Sequence, residues 1–364
     1  MGSIATTTFP DPFQGVPAAR AADGLAALSH KFRADTDPNR TDLLVGVYKT
    51  DEVSAQTLGA CGGCHAGAVL LKNHYGPWKE NGNPEIFLPT DSWLNHPFVF
   101  QSAGIKTSFL PYFNSKTNTF DFEKFSDTIK SLPTQSVILV QSGAQNPTGC
   151  DPSPEQWQEL ASIFLERGHL AFFDAAYPGF ASGDIDADLA GVRLFAEKEI
   201  PFVFVSTYGK SFGLYSERVG IISVLVPNEQ AGKNIEAQFS LLARSESGAP
   251  PDFGSRIVET ILSDEVLERQ WREEVRDMAN QLNNRRVALR EALEKLETPG
   301  SWRHITEQRG MFSYVGLPVE QVTLLRDKYH VYLQDSGRIS IAGLNSSNID
   351  HTARSISAVV KATT

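Results

Sequence analysis

The chain has 364 residues, 41% of them hydrophobic and 21% charged, which is ordinary for a globular protein and enough for more than one domain. Its net charge of -10 argues against nucleic acid or an anionic membrane as a partner. No run of residues is long and apolar enough to span a bilayer. Residues 1–9 lack the pattern of a signal peptide and the arginines of a mitochondrial presequence, and three cysteines do not make a disulfide framework. We therefore expect a cytoplasmic protein.

The first elements in chain order are a helix and a turn of small residues. Residues 17–32 have the apolar spacing of a helix, and residues 42–48 form a short extended segment. Residues 56–72 then run from small side chains into a helix with apolar periodicity. Such a turn can present backbone N–H groups and the positive end of the helix dipole to a phosphate. The sequence therefore predicts an anion-binding turn at this point.

The same turn contains Cys61-Gly-Gly-Cys64-His65, which fits a c-type haem attachment pattern, and its two cysteines fit a redox or zinc pair. Haem attachment requires export, for which residues 1–9 give no signal. Zinc requires two further ligands, and only Cys150 remains among the cysteines. We therefore expect no metal, and a pair of thiols close to the bound ligand stays open as the alternative.

Six apolar runs read as buried strands, and they alternate with helical stretches. This alternation indicates a mostly parallel sheet that is covered on both faces. Residues 252–296 then predict a long helical connection into a second domain, which contains a strand at 310–314 and a closing helix at 348–360. The six runs are residues 85–88, 106–110, 136–141, 169–174, 201–205 and 220–226.

Distinctive side chains follow three of these strands. Trp93 and His96 come after the first strand, and Asn146 lies in an Asn-Pro-Thr-Gly turn after the third. The fourth strand ends in Asp174, with Tyr177 three residues further on. The carboxyl ends of parallel strands are where α/β folds place their ligands. The sequence therefore predicts a single site built from these side chains.

A lysine and an arginine stand between the last two strands. Lys210 lies among small, hydroxyl and aromatic residues, and Arg218 follows eight positions later. A lysine held between core strands is costly to bury as a cation, so its pKa falls and the neutral amine becomes a nucleophile toward carbonyls. Taken alone, a loop lysine that reaches solvent is the commoner case.

Residues 207–220, Thr-Tyr-Gly-Lys-Ser-Phe-Gly-Leu-Tyr-Ser-Glu-Arg-Val-Gly, closely resemble the cofactor-lysine motif of class I aspartate aminotransferases, which are pyridoxal-phosphate enzymes of fold type I. The resemblance extends over nearly the whole chain, and its motifs are collinear. It implies an α/β fold with a mostly parallel, seven-stranded sheet in a large domain and a smaller α+β domain. The implied boundaries are an N-terminal arm and helix at 1–40, the large cofactor-binding domain at 41–270 and the small domain at 271–364.

The resemblance also implies how the phosphate end of the cofactor is held. Lys210 forms the Schiff base with pyridoxal phosphate and moves the substrate proton, while Arg218 and Thr207 bind the phosphate. The family's phosphate cup reads Ser-Gly-Thr, and here both hydroxyls are replaced while the backbone donors remain. The three cup positions in this chain are Gly59, Ala60 and Cys61.

At the ring end, the resemblance assigns Asp174 to the ring nitrogen, which it keeps protonated so that the ring acts as an electron sink. His96 supports this aspartate. Asn146 and Tyr177 contact the ring oxygen, and Trp93 packs beside the ring.

For the substrate, the resemblance assigns Arg338 to the α-carboxylate, since the planar guanidinium binds a carboxylate with two parallel hydrogen bonds. Arg244 is implied to reach the side-chain carboxylate in the neighbouring subunit's site, with a solvated surface arginine as the alternative. Gly46, Asn146 and Trp93 border the substrate pocket. The implied activity is transfer of an amino group from L-aspartate, or a related amino acid, to 2-oxoglutarate by a homodimer.

Two features depart from the family pattern. Gln145 stands where the family usually has a histidine, and the chain passes directly from Tyr48 to Gln56, where the family has a long segment with a tyrosine that reaches the partner's cofactor phosphate. Three explanations stay open. The chain is a specialised homologue that acts on another amino acid, a non-catalytic dimeric relative, or a sequence that lacks an exon. The changed phosphate cup favours true divergence.

Overall fold

The computed structural model describes Phe13, Gly15, Val16 and residues 54–363. Four expectations lie outside the described residues: the helix at 17–32, the extended segment at 42–48, the pocket residue Gly46 and the start of the shortened segment at Tyr48.

The described residues form one sheet of seven strands and two separate pairs of strands. The seven are β1 (Ser54–Leu58), β2 (Glu85–Pro89), β3 (Lys106–Leu110), β6 (Val137–Gln141), β7 (Leu170–Ala175), β8 (Phe202–Thr207) and β9 (Val219–Val224). The two antiparallel pairs are β4 (Phe113–Asn114) with β5 (Thr119–Phe120), and β10 (Phe312–Tyr314) with β11 (Arg338–Ser340).

The helices of the described residues fall into two sets. Those that accompany the sheet are α1 (Gly59–His74), α2 (Gly76–Asn81), α3 (His96–Ser102), α4 (Phe122–Ser131), α5 (Pro154–Arg167), α6 (Ile185–Asp188), α7 (Ala190–Glu197), α8 (Tyr208–Ser211) and α9 (Glu229–Glu246). The C-terminal set is α10 (Asp252–Leu262), α11 (Glu265–Lys295), α12 (His304–Glu307), α13 (Val319–Tyr329) and α14 (Ile349–Thr363), with a 3₁₀ turn at Ile341–Gly343. No helix in this described part is long and apolar enough to cross a membrane.

The sheet has the order β1-β9-β8-β7-β6-β2-β3. The neighbouring strands β8, β7, β6, β2 and β3 run parallel, and β9 runs antiparallel to both β8 and β1. The predicted mostly parallel sheet is therefore confirmed, with β1 as an additional strand. β1 has no apolar pattern in the sequence, because most of its residues are small or polar and only partly buried.

Both faces of the sheet are covered, as the apolar runs predict. Along β6, Val137 and Leu139 pack into a core beneath α1 and α3, while Ile138 and Val140 pack into a second core beneath α4 and α5. This alternation follows from the two-residue period of a strand, and it explains why β6 and β7 are buried at every position.

The predicted helical connection at 252–296 consists of two helices rather than one. Asp264 ends the continuity by capping α11, with its carboxylate accepting from the amides of Val266 and Leu267. A third core packs α11, α13 and α14 together and includes Tyr177 and Phe180 from the segment after β7. A domain boundary near residue 270 stays a prediction.

The carboxyl ends of the central strands bring the candidate residues together. Gln141, the last residue of β6, pairs with Asp174 of β7, and β8 ends beside them. The segments that follow these three strands carry Asn146, Tyr177 and Lys210. The predicted location of the site at this edge of the sheet follows directly from the parallel arrangement.

The antiparallel strand β9 places the start of α1 at the same edge. Because β1 and β8 both run antiparallel to β9, they share one direction. Leu58 at the end of β1 pairs with Val219, next to Gly220, which pairs with Thr207 at the end of β8. Gly59 therefore begins α1 where β8 ends.

Candidate active site

The deepest part of the site is a hydrogen-bonded chain of three buried side chains. His96 Nε2 lies 2.9 Å from Asp174 Oδ2, and His96 Nδ1 lies 2.7 Å from Ser92 Oγ. Because a carboxylate only accepts, Nε2 donates to Asp174, while Nδ1 and the Ser92 hydroxyl share the second hydrogen bond. The second carboxylate oxygen, Asp174 Oδ1, is buried and has no hydrogen-bond partner within the described part of the chain. These hydrogen bonds thus fix the Asp174 carboxylate and leave its Oδ1 atom for a ligand.

Lys210 lies in α8, directly after β8, with its side chain half-buried. Burial lowers the pKa of its amine, the Arg218 guanidinium lowers that pKa further, and the Asp174 carboxylate raises it. The Nζ atom lies 4.7 Å from the centroid of the Tyr215 ring and 5.5 Å from that of the Tyr177 ring. The lowered pKa favours the neutral, nucleophilic amine that the sequence predicts.

Arg218 lies against the first turn of α1. Its Nη2 donates to the Leu58 carbonyl at 3.1 Å and its Nη1 to the Tyr215 carbonyl at 3.0 Å. Gly59 makes this approach possible, because a Cβ at that position would lie 2.5 Å from Arg218 Nη2. Among the described residues α1 has no side-chain cap, so the amides of its first turn remain for an anion.

The other residues predicted for the phosphate end are less directly suited to it. The Thr207 hydroxyl donates to the Val219 carbonyl at 2.9 Å and accepts from the Gly209 amide at 3.1 Å as the N-cap of α8. Ala60 is half-buried and Cys61 is exposed, and neither offers a hydroxyl. The phosphate end therefore consists mainly of backbone amides and one guanidinium.

Arg338 faces the same site from β11. Its Nη1 donates to Asn146 Oδ1 at 3.2 Å, and its Cζ lies 4.2 Å from the centroid of the Phe312 ring. Its Nε is buried and has no partner among residues 54–363 or the described N-terminal ones. Tyr177 packs edge-on against Phe312, and burial raises the pKa of its phenol well above the usual value, so the hydroxyl remains a donor. These residues converge as the resemblance implies.

Two hydrogen bonds to Gln141 hold the backbone of Asn146, and Gln141 is not among the residues predicted for the site. Gln141 Oε1 accepts from the Asn146 amide and Gln141 Nε2 donates to the Asn146 carbonyl, both at 3.0 Å. The same Nε2 approaches Ser92 Oγ at 3.4 Å. Gln145 donates to the Asp91 carbonyl and so ties the turn to the loop after β2. Gln141 was detectable as the polar end of an otherwise apolar strand.

Cys64 also lies in the site, where the sequence offers it only as one of a pair of thiols near the bound ligand. It lies fully buried in α1, and its sulfur, a ring nitrogen of His96 and a carboxylate oxygen of Asp174 all lie within 4.8 Å of one another. Burial raises the pKa of the Cys64 thiol well above its usual value, and Asp174 raises it further. The sequence argument against zinc considers only cysteines as ligands. The fold instead places a histidine and an aspartate next to Cys64.

Three other predicted residues are not members of this cluster. Trp93 is partly buried and packs edge-on against His96, with 5.3 Å between ring centroids. Arg244 is exposed in the last turn of α9, which packs against α1 and β1, and its reach into a neighbouring subunit stays a prediction. Gly46 lies outside the described residues.

Comparison with known proteins gives a consistent result. A family model described as aminotransferase class I and II matches residues 43–356. The mitochondrial aspartate aminotransferase of Dictyostelium discoideum is 42% identical over 275 residues, which are 76% of this chain and 65% of that protein. The mitochondrial aspartate aminotransferase of Arabidopsis thaliana is 39% identical over 308 residues, which are 85% of this chain and 70% of that protein. The chain thus spans about two thirds of the length of these relatives.

The solved structures give the same result at the level of fold. The aromatic-amino-acid aminotransferase of Burkholderia pseudomallei, covalently bound to pyridoxal phosphate, superposes with a TM-score of 0.80 at 28% identity, covering 96% of this chain and 99% of that one. The fold expected from the sequence is confirmed.

The expected cytoplasmic location is wrong by this comparison. The matching relatives from Dictyostelium and Arabidopsis are mitochondrial proteins, and a cytoplasmic relative from rice also matches. The prediction relied on what residues 1–9 lack, and that absence is a weak guide to location.

Proposed function

Because the chain belongs to the class I and II aminotransferase family, we propose that it transfers the amino group of L-aspartate, or of a related amino acid, to 2-oxoglutarate with pyridoxal phosphate as its cofactor. The observation that carries this proposal is the free oxygen of Asp174. A buried acceptor without a partner costs about 1–3 kcal/mol. A protonated ring nitrogen placed against this oxygen would remove that cost.

The residues present fit the cofactor at both ends. Asp174, fixed by His96, suits a cationic ring nitrogen, and Arg218 with the first-turn amides at Gly59 suits a phosphate. When bound, pyridoxal phosphate supplies the electron sink that stabilises negative charge at the substrate Cα. Thr207, Ala60 and Cys61 are proposed to border the phosphate, and Trp93 the ring.

Lys210 is proposed as the residue that holds the cofactor and moves the proton. Its lowered pKa keeps a fraction of Nζ neutral, so it can act as a nucleophile toward an aldehyde and, once released, as the base at the substrate Cα. Asp174 and Arg218 shift this pKa in opposite directions. The lysine thus feels the charges of both groups that would hold the ring and the phosphate.

Arg338 is proposed to bind the substrate α-carboxylate. The ring of Phe312 supports one face of its guanidinium, and Asn146 takes one of its N–H groups, which orients the remaining donors. Tyr177, as a protonated phenol, and Asn146 are proposed to contact the ring oxygen of the cofactor. Arg244 from a second copy is proposed for the substrate's second carboxylate, which requires a homodimer, and Gly46 is proposed to line the pocket.

A second candidate substrate class is large apolar amino acids. A cavity of about 570 Å³ opens beside Lys210, with a largely apolar lining. The Burkholderia neighbour is an aromatic-amino-acid aminotransferase. The lining includes Phe180, Phe212, Trp271, Met278 and Met311.

A coupled steady-state assay tests the proposal. Purified protein with pyridoxal phosphate and 2-oxoglutarate is given L-aspartate, L-phenylalanine or L-tyrosine, and formation of each 2-oxo acid is followed. Turnover of aspartate that is lost in Lys210→Ala supports the proposed function. Turnover of the aromatic substrates alone moves the assignment to the second class. Cofactor binding without turnover of any of them would favour the non-catalytic alternative.

A further inference from the structure

Cys64 completes a set of three potential metal ligands beneath the proposed cofactor site. Its sulfur lies within 4.8 Å of a His96 nitrogen and an Asp174 oxygen, and those two side chains are already joined at 2.9 Å. All three residues are buried. The proposed function uses His96 and Asp174 and gives Cys64 no role.

Sulfur, imidazole nitrogen and carboxylate oxygen are the ligand types that bind Zn²⁺ in proteins, and sites with three protein ligands keep a fourth position open for water or another small ligand. Because zinc–ligand distances are about 2.0–2.3 Å, the three ligand atoms must lie closer together than the 4.8 Å within which they are found, so side chains move when the ion binds.

The surroundings of His96 also suit metal binding. Metal-bound histidines usually donate their second ring N–H to a fixed acceptor, and Ser92 Oγ lies 2.7 Å from Nδ1. Gln141 in turn approaches that same oxygen from β6. When Nε2 binds a metal, the ring hydrogen would reside on Nδ1 and be donated to Ser92, whose oxygen has two lone pairs.

We propose that Cys64, His96 and Asp174 bind one zinc-like divalent cation when no cofactor is present, and that this cation and pyridoxal phosphate exclude each other. Binding releases the Cys64 thiol proton to solvent, and the thiolate and the carboxylate then balance the two positive charges. A cation at this point occupies the carboxylate and repels a protonated ring nitrogen. The site thus couples cofactor loading to free metal ion.

The test uses the full-length, reduced protein purified without pyridoxal phosphate, with Co²⁺ as the probe. We expect a near-ultraviolet sulfur-to-cobalt absorption band that saturates at one equivalent of Co²⁺ and is removed by Zn²⁺. Added pyridoxal phosphate should remove the band as well. Binding of Co²⁺ and cofactor together, without competition, would overturn the exclusion.

Matched variants identify the ligands. Loss of a group that supports a metal ligand costs about 10- to 100-fold in affinity, and Ser92→Ala should weaken Co²⁺ binding by this amount. Cys64→Ala removes a ligand and should weaken Co²⁺ binding by more. Cys61→Ser, a thiol three residues earlier in α1, should retain the band. An unchanged band in Cys64→Ala, or its loss in Cys61→Ser, would contradict the assignment. Circular dichroism checks that each variant is folded. If Cys64→Ala is not folded, the competition between Co²⁺ and pyridoxal phosphate on the wild-type protein decides the proposal. Because these readouts need no turnover, their failure is distinct from failure of the proposed function.

Discussion

The two ends of the candidate site are built in opposite ways. At the ring end, Asp174, His96 and Ser92 are buried and hydrogen-bonded side chains. At the phosphate end, Arg218 is exposed, and the other donors are backbone amides at the start of α1. Side-chain chemistry therefore determines the end proposed for the ring, whereas backbone geometry determines much of the end proposed for the phosphate. This difference explains how the cup can lose its hydroxyls and still suit an anion.

The largest effect is expected at the ring end. Asp174→Asn keeps the side-chain volume but removes the charge that holds a protonated ring nitrogen, so kcat/KM for L-aspartate should fall about 1000-fold, or about 4 kcal/mol. Steady-state kinetics at saturating pyridoxal phosphate measures this. Asp186→Asn, an exposed aspartate, is the control and should leave kcat/KM unchanged. A loss of kcat/KM below tenfold in Asp174→Asn would show that the charge of Asp174 is not what holds the cofactor ring.

Arg218→Ala should have a smaller effect, and on a different quantity. A charge-assisted hydrogen bond contributes about 1.5–3 kcal/mol, so the Kd for pyridoxal phosphate should rise about 10- to 100-fold while kcat at saturation changes less. Absorbance titration with the cofactor measures the Kd. Arg218→Lys keeps the charge without the planar fork and should give an intermediate Kd. An unchanged Kd in Arg218→Ala would show that the amides of α1 hold the phosphate alone.

Gly59→Ala tests how far the backbone at the start of α1 determines cofactor binding. Gly59 has φ of 69°, and its added methyl group would meet Arg218, whereas Gly82 has φ of 65° with open space around it. Each substitution should cost about 1–2 kcal/mol for the left-handed conformation. Urea unfolding measures this cost, and cofactor titration measures the displacement of Arg218. Only Gly59→Ala should weaken cofactor binding, and equal weakening in Gly82→Ala would exclude the steric explanation.

The smallest effect is on the pKa of Lys210, which the two ends shift in opposite directions. The neutral amine fraction rises as the pH passes through this pKa. Removing the Arg218 charge should raise the pKa and move the acidic limb of cofactor capture to higher pH. Asp174→Asn should lower the pKa and move that limb to lower pH. The rate of cofactor capture against pH, in Arg218→Gln and Asp174→Asn, measures both, and shifts in the same direction would contradict the arrangement.

Much of the sheet was predictable from sequence because the central strands are continuous apolar runs buried on both faces. β1 was not, since a partly buried strand of small polar residues has no apolar pattern. The interruption at Asp264 was missed because apolar periodicity continues across it. Helical spacing alone cannot distinguish one helix from two that meet at a cap.

The candidate site was predictable where the residues form motifs, as around Lys210, Asp174 and Asn146. The position of Cys64 beside His96 and Asp174 was not, because these residues come from segments far apart in the sequence and only the packing of α1 on the sheet joins them. Ser92 likewise becomes visible only through its contact with His96. Packing between distant elements is the information that local patterns lack.

The most direct test of the central claim is the visible absorbance spectrum of the purified protein with pyridoxal phosphate, before and after L-aspartate. We predict a band of lysine-bound cofactor that aspartate converts to the aminated form. Absence of any band would show that Lys210, Asp174 and Arg218 do not form a cofactor site in this chain, and would contradict the account.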